Sequence, residues 1–226
     1  MELSSAADSA HYDTMGYHRS ARMTEQLAYK RERIMRGARK LIARGGFRAA
    51  QISAVAAAAG VSTGSIYRYF PSKASLFIEV LSAAVAHEVA ILEQIAGAGG
   101  TVSARLRRAV ESFSRRALEG RNLAYAFIAE PIDAEVDSER LRCRRRFGQV
   151  FAQLLREGIE AGEFPAQDIE AGAACIVGAF TEALVTPIAP GTKAPPPRVR
   201  ARLVAAISGF CVRAVGAPAE PTTRGS

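Results

Sequence analysis

Apolar residues recur along most of the chain with the period of an α-helix, and short polar or glycine-containing breaks separate the segments. In the segment 27–44, Ile34, Ala38, Leu41 and Ile42 fall on one face, while basic side chains lie elsewhere. A glycine pair follows directly and is expected to end this helix. The same analysis predicts further helices at 52–59, 73–95, 101–119, 121–129, 138–161, 168–186 and 198–215, and a short one that Ser62 caps and that carries residues 63–68. We therefore expect an all-α fold.

The stretch 52–73 carries the signals of two short helices joined by a tight turn. Gly60 can adopt the left-handed conformation that ends a helix, and Ser62 can cap the next one through its hydroxyl. Ala56, Gly60 and Ile66 have suitable spacing: the alanine lets the helices approach and the isoleucine fills the angle between them. The pattern predicts a helix-turn-helix.

The second helix of this pair starts with short or polar side chains, which would let its backbone enter the major groove of DNA. Hydroxyl and guanidinium groups can donate to phosphates and base edges, and the next helix start, at Ser72 and Lys73, suits a phosphate. The predicted DNA-binding residues are Arg48, Ser62, Thr63, Gly64, Ser65, Tyr67, Arg68, Tyr69 and Lys73. An alanine-rich helical pair used only for packing is the alternative.

Residues 31–80 resemble the DNA-binding domain of TetR-family transcriptional regulators. The resemblance is carried by Ala-Gly-Val-Ser-Thr-Gly-Ser-Ile-Tyr-Arg-Tyr-Phe at 59–70, Ser72-Lys73, Leu76, Ile34, Ala38, Leu41 and Gly45-Gly46-Phe47. One departure concerns the residues before the first motif helix, where the family has Thr or Ser as a cap and phosphate contact. This chain has Ala49, Ala50 and Gln51 there.

The resemblance implies a three-helix helix-turn-helix domain at 25–75, followed by a helical effector-binding and dimerisation domain at 76–216. It also implies a repressor that binds an inverted-repeat operator in double-stranded DNA as a homodimer and is released by a small molecule. Two alternatives remain open at this point. One is a helical binding protein or enzyme with an appended DNA-binding domain, and the other is a constitutive DNA-binding protein without an effector.

The last two long helices are the ones that pair between subunits in TetR-like proteins. The segment 168–186 is apolar on nearly all sides and rich in small residues, which lets another helix come close. The predicted dimer residues are Cys175, Gly178, Glu182, Leu203, Ile207 and Phe210. Burial of part of this apolar surface inside one protomer is the alternative.

The helix at 73–95 is long enough to connect the two domains, so a ligand touching its second half would act on the DNA-binding end. Aromatic residues in the helices that follow suit an apolar or aromatic effector, although an ordinary core would use the same residues. The candidate ligand-binding residues are His87, Glu88, Phe113, Tyr125, Phe127, Phe147, Phe151 and Phe180.

Charge supports a nucleic-acid partner. The chain carries a net charge of +8, and residues 25–75 hold ten Lys and Arg against two Glu, so the whole excess lies in and before the motif. A second basic run consists of Arg140, Arg142, Arg144, Arg145 and Arg146. Because acidic residues adjoin it, we expect a solvated, salt-bridged face, with a second nucleic-acid patch as the alternative.

Other sites are not indicated. Cys143, Cys175 and Cys211 are widely separated, which favours buried thiols in a reducing compartment over disulfides or zinc ligands. No signal peptide is visible, and the apolar runs look too short or interrupted to span a bilayer, so we expect a cytoplasmic protein with no membrane association. No catalytic, cofactor or metal motif is found. Residues 1–24 are expected to be a disordered or loosely docked arm and 217–226 a tail.

Overall fold

The computed structural model describes the backbone of residues 5–216 and the side chains of residues 23–216. Over this part of the chain there are nine helices and no strand, so the predicted all-α fold is confirmed. The helices are α1 (Ser5–Ala49), α2 (Ile52–Ala59), α3 (Thr63–Tyr69), α4 (Lys73–Ala96), α5 (Val102–Glu119), α6 (Arg121–Ile128), α7 (Ala134–Glu160), α8 (Ile169–Ile188) and α9 (Pro197–Ala214).

Helix α1 differs from the prediction at its start. It begins at Ser5, so most of the segment 1–24, which we expected to be a disordered or loosely docked arm, is helical. The segment contains no proline, so nothing in its covalent geometry ends the helix earlier. Residues 1–4 and the predicted tail 217–226 lie outside the described backbone.

The predicted stop at the glycine pair is confirmed. Gly45 and Gly46 have non-helical backbone angles, with φ of 72° at Gly46, and residues 47–49 form a separate turn beyond this kink. A left-handed φ is accessible to glycine without the strain that a Cβ would bring.

The first three helices pack around a small apolar core that α4 completes. Ile34 and Ala38 from α1 are fully buried together with Ile66 from α3, Phe70 beyond it and Leu76 from α4. Helix α4 then continues into the second domain, where it packs on α5 and α7. The same helix therefore contributes to both cores.

The second domain is a helical bundle in which α7 packs on α8, and α5 packs on α9. Helix α7 starts at Ala134, earlier than the predicted 138. Glu135 and Asp137 occupy its first turn, where carboxylates interact favourably with the positive end of the helix dipole. Glu135 and Asp137, which precede the predicted start, are therefore part of the helix.

We predicted that the apolar runs are too short or interrupted to cross a membrane. Judged by length and composition, this prediction is wrong. Among the described residues, α4 and α8 both meet those two criteria. Each is packed in the bundle, α4 against α1, α5 and α7, and α8 against α5, α6, α7 and α9. A core helix contacted on several sides needs the same apolar composition as a spanning helix.

Candidate functional site

The turn between α2 and α3 has the geometry that the sequence predicts. Gly60 adopts left-handed angles, φ 63° and ψ 43°, and the amide N of Val61 donates to the carbonyl O of Ala56 at 3.0 Å. The Arg33 guanidinium donates to the carbonyl O of Ala59 at 2.5 Å, so a cation from α1 satisfies the C-terminal end of α2. This role of Arg33 was missed, because nothing in its local sequence indicates a partner 26 residues away.

One face of helix α3 packs on the core, and the opposite face is exposed to solvent. The Ser62 hydroxyl caps it by accepting from the amide N of Ser65 at 3.2 Å, and Ile66 is fully buried. Tyr67 is 51% exposed, and Arg68 also faces solvent. Of the other predicted contacts, Ser62, Thr63, Gly64 and Arg48 are exposed, while Ser65 and Tyr69 are half-buried. A short, solvent-facing helix on a rigid base is what major-groove docking requires.

The starts of α2 and α4 are connected to each other. Ser72 and Ser75 form a reciprocal capping box at α4. Gln51 makes no side-chain cap for α2, and its amide instead accepts from the Lys73 ammonium at 3.3 Å and donates to the carbonyl O of Arg48 at 3.0 Å. Gln51 therefore occupies the place of the family's Ser or Thr with a different bonding pattern, and it brings Lys73 beside the α2 helix start.

A cavity lies in the second domain, at its boundary with α1. It is lined by Arg39, Leu81, Ala84, Val85, Glu88, Phe113, Arg116, Ala117, Gly120, Leu123, Ala124, Phe127, Ile128, Arg140, Cys143, Arg144, Phe147 and Thr181. The space between these side chains is about 840 Å³, a figure that includes volume open to solvent at the mouth.

The structure brings together half of the predicted ligand-binding residues. Glu88, Phe113, Phe127 and Phe147 line the cavity. His87 is exposed on the outer side of α4 and does not line it. Glu88, the next residue on the same helix, does line it.

The other three aromatic candidates lie outside the lining. Phe151 and Phe180 are fully buried in the core, with ring centroids 5.5 Å apart, and Phe180 packs behind Phe113 at 4.8 Å. Tyr125 is half-buried on α6. For Phe151 and Phe180 the structure favours the ordinary core that the sequence left as an alternative.

Arginines around the cavity are the part of the site that the sequence analysis missed. Arg39, Arg116, Arg140 and Arg144 are in the lining. Arg116 is paired with Glu88 at 2.7 Å, and Glu88 is the only acidic residue in the described lining. The apolar walls therefore carry an excess of positive charge.

Arg140 corrects the expectation that the whole basic run is a solvated face. Its side chain is only 10% exposed and pairs with Asp137 at 2.5 Å. Burial lowers the pKa of Arg140, while the carboxylates of Asp137 and Glu130 oppose that shift. Arg142 behaves as predicted, since it is half-exposed and paired with Glu139.

Cys143 is a buried thiol in the same wall. Burial, helped by the charge of Glu139, raises the pKa of Cys143 to about 11. It therefore stays neutral at physiological pH and contributes to the apolar lining.

Four of the six predicted dimer residues are exposed. Cys175, Gly178 and Glu182 face solvent from α8, and a Cβ at Gly178 would meet no atom within 4 Å. Phe210 on α9 is 56% exposed. Leu203 is half-buried, and Ile207 is 6% exposed because it packs inside the protomer, which differs from its predicted interface position.

These features are those of a DNA-binding transcriptional regulator, and comparison with known proteins identifies the family. Residues 34–80 match the model for bacterial regulatory proteins of the tetR family, and residues 99–184 match the tetracyclin repressor-like C-terminal domain. The chain belongs to the TetR family, and the resemblance noted in the motif is confirmed.

The chain is also similar to individual curated proteins over part of its length. The HTH-type transcriptional repressor KstR of Mycobacterium tuberculosis is 31% identical over 135 residues, which cover 57% of this chain and 60% of KstR. The chain thus spans about three-fifths of the length of that relative.

Solved structures show the same fold. The fatty acid degradation regulator FadR of Bacillus halodurans has a TM-score of 0.70 at 23% identity, covering 81% of this chain and 94% of that one. FadR of Bacillus subtilis in complex with stearoyl-CoA has a TM-score of 0.67 at 21% identity, covering 83% and 99%.

Proposed function

We propose that the protein is a cytoplasmic homodimeric repressor that binds an inverted-repeat operator through α3 and the start of α4. The observation that carries this is the arrangement of α3, which is capped at Ser62, anchored by buried Ile66, and open to solvent at Tyr67 and Arg68. The positive charge of residues 25–75 supplies the electrostatic attraction to phosphates. The exposed surface of α8 and α9 supplies the dimer contact.

Selection of bound sequences from random duplexes tests this proposal. We expect enrichment of an inverted repeat whose half-site centres lie a helical repeat or a small multiple apart, roughly 34–36 Å per repeat. The absence of any enriched sequence, with a folded protein, would contradict the assignment of α3 as a recognition helix.

We propose further that the effector is an amphiphile with an anionic group. The cavity walls are largely apolar, yet arginines from α1, α5 and α7 contribute to them. An anionic group would offset the unfavourable burial of the Arg140 charge. The stearoyl-CoA complex of the structurally similar B. subtilis FadR makes a fatty acyl-CoA the first compound to test.

A thermal-shift comparison tests the effector class. Stearoyl-CoA binds the folded state in this account, so it should raise the melting temperature more than coenzyme A or octadecanol, which each lack one of the two features. Equal shifts with octadecanol would remove the requirement for the anionic group. No shift with any of the three compounds would exclude this ligand class.

A further inference from the structure

Side chains of the second domain form hydrogen bonds with the backbone at the end of α1, just before the helix-turn-helix begins. The buried Glu130 carboxylate accepts from the amide N of Phe47 at 2.9 Å and from that of Arg48 at 3.4 Å. The Asn122 amide donates to the carbonyl O of Arg44 at 2.9 Å. A side chain at Gly46 would collide with the Glu130 carboxylate, so the kink in α1 is shaped to receive it.

Arg140 connects these contacts at the end of α1 to the cavity wall. Its guanidinium donates to the carbonyl O of Ala126 at 2.6 Å and to that of Glu130 at 2.5 Å. It also lies 5.9 Å from the centroid of the Phe47 ring, within cation–π range. Arg140 lines the cavity, and its Nε is buried without a hydrogen-bond partner in the described structure.

The Phe47 ring also packs against aromatic residues of the second domain. Its ring centroid lies 4.7 Å from that of Phe77 on α4 and 5.9 Å from that of Phe127, which lines the cavity. The turn at residues 47–49 therefore contacts α4, the cavity residue Phe127 and the Glu130 carboxylate. Helix α2 begins three residues after this turn.

We propose that Glu130 is a positioning residue that fixes the orientation of the helix-turn-helix against the effector domain, and that Arg140 couples this contact to the contents of the cavity. A buried carboxylate that loses two N–H donors is strongly disfavoured, so the contact favours one arrangement of the domains over others. A ligand group that binds Arg140 competes with the carbonyl groups of Ala126 and Glu130. The proposal rests on the proposed function for its biological meaning, while the contact itself can be tested without DNA.

A second carboxylate in the chain offers a matched control. Glu163 accepts from the amide N of Val102 at 2.8 Å and from that of Ser103 at 2.9 Å, at the start of α5. It performs the same local hydrogen bonding within the effector domain, away from the helix-turn-helix. Glu130→Gln and Glu163→Gln therefore both remove a carboxylate cap, but only the first changes the contact between domains.

The first measurement is amide hydrogen exchange of the free full-length protein. Glu130→Gln should speed exchange across residues 47–59 relative to the parent, whereas Glu163→Gln should change only the start of α5. Unchanged exchange at 47–59 in Glu130→Gln overturns the proposal, whatever the protein binds.

The second measurement is the affinity for the selected operator and for duplexes whose half-site spacing is altered by one base pair. A positioning role predicts that Glu130→Gln reduces the preference for the native spacing by roughly 5-fold or more, a typical allosteric coupling. A purely structural role would weaken all spacings alike. If Glu130→Gln does not fold, Glu130→Asp, which keeps the charge but is too short to reach both amides, replaces it.

The two measurements separate failure of this proposal from failure of the proposed function. A parent protein that selects no duplex refutes the DNA-binding function, and hydrogen exchange still decides the role of Glu130. Spacing preferences that stay equal in the parent and Glu130→Gln, or fall equally in Glu163→Gln, refute the positioning role.

Discussion

The DNA-binding surface and the cavity are built in different ways. The candidate DNA contacts from Ser62 to Lys73 lie on α3, at its cap and at the start of α4. The cavity takes its walls from α1, α4, α5, α6, α7 and α8. The turn and cap of the first site are formed by hydrogen bonds between near neighbours in the chain, whereas the second site exists only after the bundle has packed.

This difference explains why each site responds differently to substitution. A change at Tyr67 or Arg68 is expected to alter contacts with DNA without disturbing a core, because both side chains face solvent. A change in the cavity wall alters a packed surface, and its neighbours must adjust. A variant that loses only DNA binding or only ligand binding is therefore the most direct test of whether the two sites are structurally independent.

The largest effect is expected for Gly178→Leu, which tests the assignment of α8 to the dimer. The protomer has room for the side chain, but a close helix contact across the interface does not tolerate four additional carbons. Loss of the dimer removes bivalent binding, which typically contributes about 10²–10⁴ in affinity. Sedimentation and operator titration measure both steps.

Gly148→Leu is the control for this substitution. It also lies within a helix, and a Cβ there likewise meets no atom within 4 Å. The control should remain dimeric. Gly178→Leu that stays dimeric at micromolar concentration would contradict this interface.

Arg68→Ala is expected to weaken binding to the selected operator by about 1–3 kcal/mol, the usual value of a specific base contact. Binding to random duplexes should change less, because phosphate contacts remain. Competition binding measures the difference. The control is Arg156→Ala, an exposed arginine on α7 far along the chain from α3, which should leave both affinities unchanged. Equal losses on operator and random DNA would assign Arg68 to phosphate contact alone.

Ala117→Phe should close the cavity while leaving the DNA-binding surface intact. Ala117 is 6% exposed and lines the cavity wall. A ligand at 100 times its Kd stabilises the parent by about 2.7 kcal/mol, and this increment should disappear in the variant. Thermal shift with the ligand measures it, and operator affinity is the internal control. Retained ligand stabilisation would place the ligand elsewhere.

The smallest effect is expected for Lys73→Ala. Removal of one phosphate contact should reduce the slope of log affinity against log salt by about 0.9 per half-site, with similar losses on all sequences. Operator titrations between low and moderate salt measure the slope. Lys193→Ala, in the exposed α8–α9 connection, should not change it. An unchanged slope in Lys73→Ala would mean that its ammonium stays with Gln51 and touches no phosphate.

The sequence predicts the helix-turn-helix well because its signals are local. The turn at Gly60, the cap at Ser62 and the plug at Ile66 each act within a few residues, and all three are confirmed. Two long-range contacts are exceptions in this region, that of Arg33 with the Ala59 carbonyl and that of Gln51. The contact of Gln51 with Lys73 joins two helix starts 22 residues apart, which residue types at neighbouring positions cannot reveal.

The cavity was predicted only in outline because its residues meet through long-range packing. Aromatic content identifies the region, but it does not distinguish Phe113, which lines the space, from Phe180 directly behind it. The arginines were missed for a related reason. Arg140 and Arg142 belong to the same basic run, and only the tertiary fold shows that the first is buried and the second is exposed.

The central claim is that the cavity and the DNA-binding surface are energetically coupled. It is tested most directly by titrating the operator complex of the parent protein with a compound that raises its melting temperature. By linkage, such a ligand should weaken operator binding, typically by about 1–3 kcal/mol, and operator DNA should weaken ligand binding by the same factor. Ligands that stabilise the protein but leave operator affinity unchanged would contradict the account.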